Sequence, residues 1–535
     1  MIPIDVIEST ANTLMAKAAI EIPDDYLTGL KKAADSEDGD LSSYVLRAML
    51  DNYVAAKEDG RAMCGDTGTP RWYVKMGNET AIEGGPIALE AALRRATADA
   101  TANVPLRPNR VHPLWRTDHD NNVGIGAPEI EYGYEPGGEW IDLITVHKGG
   151  LFGTDYRMLF PSDGIEGIKR FYLDSLVAFG KRGLACQPAI IGIGLGGGQG
   201  QLHGSRQTRR LPAHRRRPQQ RPAHRRARGR AEGARQFHRH GRHGICRQAY
   251  GDRLQHRGRL LPYRRHADVG PRLLPVVTPR GGAHLPGRAC RAPHRSGLVH
   301  PLSATGDGRM GPSSGPREIR LSTTPDKADL DALELGDIVW LDGLIYTARE
   351  GVYMRALDEG APLPIDLPAA SAANFHCSPA ANIRDDGSFD LGAVTATASF
   401  RFAKWLPRWI ENAGARLIIG KGGMSSKDYK DYFVPNGAIY LSTVGYGTGA
   451  LLGRGVEAVE AVHWRDELGL AQAMWVIRAN RMGPFIVASD RTGACLFERE
   501  NAKIAANLEK VYEGTKPAVL KRLGETDDRS DEMIG

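Results

Sequence analysis

Cysteine is scarce: six in 535 residues, too few and too dispersed for a disulfide framework, which leaves metal binding or catalysis as their use. Long apolar runs are missing as well. No window approaches the roughly 18 apolar residues that a membrane-spanning helix needs. The start, MIPIDVIESTANTLMAKAAIEIPDD, lacks a basic flank, an apolar run and a small-residue cleavage site in succession. Both absences point to a cytoplasmic protein with no membrane partner. Lysine is absent from residues 201–300, and acids nearly so. That block holds 25 arginines against Glu232, Asp252 and Asp268. Its net charge is +22, so the formal +7 of the whole chain conceals a body of −15. A basic total is then no argument for a nucleic-acid partner.

What is present reads as a folded enzyme-like body. Hydrophobic residues make up 41%, and the length allows about two to four domains with a sizeable core. Residues 1–60 carry apolar residues at mixed three- and four-residue spacing and predict helices. GGPIALEAALRRATADATA predicts another, with Pro86 in its first turn. WIDLITVH (140–147) predicts a strand, GIKRFYLDSLVAFGKR an amphipathic helix, and PAIIGIGLGGG a buried strand running into a glycine turn. From Leu202 to about Ser314 no apolar period of either kind is visible. Near Arg317 it returns, with strands at Ile338–Trp340, Leu417–Ile419, Ala438–Leu441 and Ala473–Ile477 set among helices. The reading is an α/β multidomain chain divided as 1–197, 198–314 and 317–515, with a polar tail at 516–535.

Two kinds of chemistry stand out. AMCGDTGTP sets Cys64 beside Asp66 in a glycine-rich turn, and a second cysteine, Cys186, precedes the PAIIGIG run. One such cysteine alone reads first as a structural residue; as a thiolate ligand it has a carboxylate at hand for acid–base work. VTATASFRF brings Thr395, Thr397, Ser399 and Arg401 together, IIGKGGM places Lys421 between glycines, and IYTAREG puts Arg349 at a strand end. Taken singly, each cation reads as a surface charge. All three follow buried-looking runs, however, where loop residues tend to carry function, and together they suit an anionic substrate.

The ordered strings CGDTG, PLRPNRVHPL, ACQPAIIGIG, GDIVWLDGLIYTAR, TASFR and IIGKGGM…GAIYLSTVG resemble the iron–sulfur class I fumarase and L-tartrate dehydratase family, over residues 10–197 and 317–515, with its alpha and beta regions fused. The resemblance implies an N-terminal α+β cluster-binding region and a C-terminal swivelling β/β/α domain. It implies a [4Fe–4S] cluster on three cysteines with one open iron, reversible loss of water from a small 2-hydroxy dicarboxylate, and a homodimer. Carried over by motif, Cys64 and Cys186 are two cluster ligands, Thr397 the base and Asp66 its assistant. Arg107, Arg349, Arg401 and Lys421 clamp the substrate carboxylates, and Gly150 contributes a backbone contact. Gly65 stands where the family has glutamine, and His376 lies in a histidine-containing turn whose role stays open.

The resembled family has its third cysteine and a substrate histidine between the two matched parts, where the arginine-rich segment sits. Codon degeneracy permits one constant out-of-frame reading of that segment. It turns QGQLHG into Lys-Asp-Ser-Cys-Met and HRGRLLPYRRHAD into a string containing Tyr-Cys-His-Thr-Gly-Gly. HRHGRHGICRQ and DVGPRLLPVV become two further strings of the family, in the right order. The segment therefore reads as frameshifted from about Gly197 to Ser314, and as unstructured. The third cysteine's codon then spans Leu274 and Pro275, and the histidine's spans Pro262 and Tyr263. A phosphate-neutralising arm and a natural linker are the competing readings. On the frameshift reading, the chain as written holds no normal cluster and has no hydratase activity.

Overall fold

The structure, a computed structural model, describes residues 1–65, 67–104, 106–108, 121–148, 159, 161–181, 280–286, 315–445 and 448–515. The chain divides into two compact units, Met1–Ala189 with Ala267–Gly535, and Ile190–His266. The second lies outside the described residues, as do Asp66, Gly150, Cys186, Leu274 and the tail from 516.

The N-terminal part opens with helices α1 (Ile4–Ile20), α2 (Asp24–Ser36) and α3 (Asp40–Asp59). Strand β1 (Thr69–Gly77), helix α4 (Gly85–Asn103), strands β2 (Glu129–Glu135) and β3 (Trp140–Lys148) and helix α5 (Gly164–Lys181) follow. β1 pairs with β2 in parallel and with β3 antiparallel. β3 pairs in turn with β4 (Arg280–Pro286), so part of the arginine-rich segment forms a strand where the sequence reading has none. The physical reason is local: without it β3 would present a free row of backbone donors and acceptors. The apolar stripes of α1 (Ile7, Ala11, Leu14) and α4 (Leu89, Ala92, Leu93, Ala96) bury against Trp72, Val74, Ile141 and Leu143.

The C-terminal part holds β5 (Glu318–Ser322), β6 (Ile338–Thr347), the short helix α6 (Glu350–Tyr353), β7 (Ala373–Phe375), and the hairpin β8 (Cys377–Ile383) and β9 (Phe389–Ala396). Helix α7 (Leu406–Ala413), β10 (Leu417–Gly420), β11 (Ile439–Thr443), α8 (Gly449–Arg454), β12 (Val456–His463), β13 (Met474–Ser489) and α9 (Leu496–Tyr512) complete it. The sheet order is β12-β13-β11-β10-β7-β6-β5, and β13 also pairs with β6, so five of its strands close into a ring.

Strand alternation explains why these segments are continuous apolar runs. Val339, Leu341, Phe375, Leu417, Ile419, Ile439, Leu441, Phe485 and Val487 fill one core. Their neighbours Ile338, Tyr346, Ile418, Tyr440 and Ile486 point into another. Both faces are buried, so no polar alternation survives. The second core also contains Ile22, Tyr26, Leu30, Val45 and Met49. α2 and α3 thus pack with the C-terminal sheet, although they belong to the N-terminal sequence. No helix among the described residues is long and apolar enough to cross a membrane.

Candidate active site

Cys64 lies in the link from α3 to β1, and it is buried together with Ala62, Met63 and Gly65. The link is pinned from several directions. Met63 N–H donates to the Ala19 carbonyl at 3.0 Å, and Ala450 N–H to the Met63 carbonyl at 3.2 Å. The Asn52 side-chain amide donates to that same carbonyl at 3.0 Å. Gly65 N–H donates to Thr395 Oγ1 at 2.7 Å, and Cys64 Sγ lies 3.5 Å from that oxygen. Just beyond, Thr67 Oγ1 accepts from Arg107 N–H at 3.2 Å, while Asn122 donates to the Arg107 carbonyl at 3.1 Å. The link therefore fixes the backbone that presents Arg107.

The proposed base and one cation share a short piece of backbone. Thr397 N–H donates to the His376 carbonyl at 2.5 Å, Lys421 N–H to the Thr397 carbonyl at 3.2 Å, and Ser399 N–H to the Lys421 carbonyl at 3.2 Å. Thr397 is 7% exposed, and its hydroxyl has no hydrogen-bond partner among the described residues. Thr395 lies near the end of β9 and Thr397 one residue beyond its last residue, Ala396.

Behind this backbone sits a buried polar network that the sequence left unassigned. His376 Nδ1 is 2.7 Å from Ser399 Oγ and its Nε2 is 2.7 Å from the Tyr353 hydroxyl. Asn374 donates to that hydroxyl at 2.7 Å, and the Tyr440 hydroxyl donates to Ser399 Oγ at 2.8 Å. Burial, aided by the nearby Arg349 charge, pushes His376 down to about 3. The ring is neutral, so one nitrogen donates and the other accepts. His376 thus grips both Thr397, through its carbonyl, and Ser399, through its ring.

The cations converge from both halves. Burial, then the charges of Arg107 and Arg401, push the pKa of Arg349 down, so each of those two cations lies within electrostatic reach of Arg349. Arg349, pushed down to about 9, remains protonated at neutral pH. Arg349 Nη1 donates to the Ala471 carbonyl at 2.6 Å, while its buried Nε has no partner among the described residues. Arg401 is paired with Glu350, which adjoins Arg349 at the start of α6. That carboxylate was missed in the sequence because 51 residues separate the pair.

The cysteines give a sparser picture. Cys64, Cys377 and Cys495 are buried, and none is in a disulfide among the described residues. Among the described residues no three His, Cys, Asp or Glu side chains converge on a metal position. They supply one of the expected thiols, Cys64, and do not by themselves form a cluster site.

Two family models match the chain: fumarate hydratase (fumerase) over residues 8–221, and fumarase C-terminus over 301–500. A protein of Geobacillus stearothermophilus named for class I fumarate hydratase is 23% identical over 536 residues, covering 94% of this chain and 98% of that one. In Methanocaldococcus jannaschii, the proteins named for the two subunits of L(+)-tartrate dehydratase match separate parts. The alpha subunit is 37% identical over 192 residues, 34% of this chain and 65% of the relative, so the chain spans just under two thirds of it. The beta subunit is 34% identical over 191 residues, 35% of this chain and 94% of the relative. With matches on both sides of the arginine-rich segment, the chain belongs to the fumarate hydratase and L(+)-tartrate dehydratase family of hydro-lyases.

Proposed function

We propose that the intact form of this protein reversibly hydrates fumarate to L-malate. The reading is carried by Arg349, which feels the charges of both Arg107 and Arg401 and whose buried Nε has no partner among the described residues. Several fixed cations in one partly buried place suit a dicarboxylate, and arginine forks match carboxylates two-fold. Lys421 adds a point charge on the backbone that carries Thr397. The Thr397 oxygen takes the proton from the carbon beside a carboxylate as its own hydroxyl proton passes to the carboxylate of Asp66, which assists it as the acceptor. That carbon is a very weak acid, so the guanidinium charges stabilise the negative charge that develops. Gly150 lends a backbone contact to the substrate.

A [4Fe–4S] cluster supplies, when bound, an open iron that acts as a Lewis acid on the departing hydroxyl. Cys64 and Cys186 are two of its thiols. The third is missing from the chain as written, its codon spanning Leu274 and Pro275. The family models leave 222–300 unmatched, within the segment 198–314 read as frameshifted, and match its ends at 198–221 and 301–314. L-tartrate is the second substrate to consider, because the relatives include proteins named for its dehydratase. The functional unit is a homodimer in the cytoplasm, and nucleic acid is not a partner.

The test is an anaerobic assay of two proteins, the chain as written and one with the frame restored, on fumarate, L-malate and L-tartrate. The restored protein is expected to interconvert fumarate and malate in an iron-dependent way, and the written chain to do neither. A restored protein inert on every diacid would sink the hydro-lyase reading. A written chain carrying four irons and four sulfides, with turnover, would sink the frameshift reading. Nucleic acid retained at low salt and released at high salt would favour a binding arm instead.

A further inference from the structure

We infer that Thr395 is a positioning residue for Cys64: its hydroxyl, sent across from the C-terminal hairpin, locks the cysteine turn and orients the thiol. The inference rests on the hydro-lyase reading only for why Cys64 must be held. Thr395 is 4% exposed, on β9 opposite Ser378. Its oxygen accepts the Gly65 N–H at 2.7 Å. A threonine hydroxyl that accepts there still has one proton to give, and Cys64 Sγ lies 3.5 Å away. The one Thr395 oxygen thus meets both the Gly65 N–H and the Cys64 sulfur, and ties the turn on either side of the cysteine backbone. Hydrogen bonds of this kind hold a ligand's orientation and tune its basicity.

The surroundings are built for this contact. A Cβ at Gly65 would lie 3.0 Å from the Ala393 carbonyl and 3.0 Å from Thr395 Oγ1. A Cβ at Gly449, the first residue of α8, would lie 2.8 Å from Gly65 N, 2.8 Å from Thr395 Oγ1 and 2.9 Å from Cys64 Cα. Two bare glycines thus let β9 and α8 close directly on the cysteine turn. Residues of the C-terminal region complete the seat of a cysteine in the N-terminal one.

The experiment uses the full chain as written, without iron. Thr395→Val keeps the shape and removes the hydroxyl; Thr395→Ser keeps the hydroxyl. Iodoacetamide labelling at fixed pH is followed by peptide mass spectrometry at Cys64, with Cys377 and Cys495 as internal references. Deuterium uptake of the peptide containing Gly65 is measured alongside. In Thr395→Val, Cys64 should label about fivefold faster, the factor that losing one hydrogen bond of about 1 kcal/mol gives. Gly65 should also lose protection, while the reference cysteines keep their rates and Thr395→Ser behaves as the parent. The idea is overturned if Cys64 labels at the parental rate in Thr395→Val, or if Thr395→Ser labels as fast as Thr395→Val. It is equally overturned if all three cysteines accelerate together. Neither readout needs cluster or substrate, so failure of fumarate turnover leaves this inference standing, and its own failure leaves the hydro-lyase reading standing.

Discussion

At the scale of single residues, Arg349 and His376 make the sharpest claims. Arg349 joins a fork-shaped donor set to the other guanidinium groups, and lysine reproduces its charge but not the fork. Arg349→Lys in the frame-restored enzyme should lower kcat/KM roughly ten- to a hundred-fold, the range set by losing a charge-assisted hydrogen bond of about 1.5–3 kcal/mol. Steady-state kinetics on fumarate check this. His376 makes a claim about stability. Its pKa falls from an ordinary 6.5 to about 3 on folding, so the unfolded chain binds a proton that the folded chain refuses. The ring's contribution is complete above pH 6.5 and is lost as pH falls toward 3, at up to about 1.4 kcal/mol per pH unit. Urea unfolding of parent and His376→Asn between pH 7 and 4 should show a steeper acid loss in the parent.

At the scale of elements, two glycines decide whether neighbours can meet. Gly449→Ala forces a Cβ to 2.8 Å from Thr395 Oγ1 and Gly65 N. It should destabilise the protein by about 1–3 kcal/mol, as overpacking does, and thermal unfolding measures it. Much at this scale was legible in the sequence. β6, β10, β11 and β13 are runs such as LIIG because both of their faces are buried. α1 to α5 followed from their apolar spacing. β2 escaped notice although EIEYGYE alternates Ile130, Tyr132 and Tyr134 with polar residues and glycine; the strand is short and faces solvent along most of its length. The cations of the site were legible as charges placed just after buried runs. Thr395's partner was not, since nothing local ties it to a turn 330 residues earlier. The His376 network was hidden for a related reason: its members Tyr353, Asn374, Ser399 and Tyr440 come from four separate elements or links.

At the scale of the molecule, the N-terminal and C-terminal sequences are not separate bodies. α2 and α3 share a core with Trp409 and Tyr440. Arg454 pairs with Glu58 and Asp59, and Arg61 with Asp390, across the same junction. Residues 1–197 produced alone should expose Tyr26, Leu30 and Met49 and aggregate. Co-produced with 317–515, they should copurify, and size-exclusion chromatography separates the two outcomes.

The pairing of β13 with three other strands also has a bearing on how the molecule is made. It bonds to β12, β11 and β6, yet it begins at Met474. On the ribosome, β6 emerges more than a hundred residues earlier and must wait with its edge bare until that last long strand arrives. A nascent chain halted before Met474 has no means of shutting the ring, and its waiting edges are open to pairing with other chains.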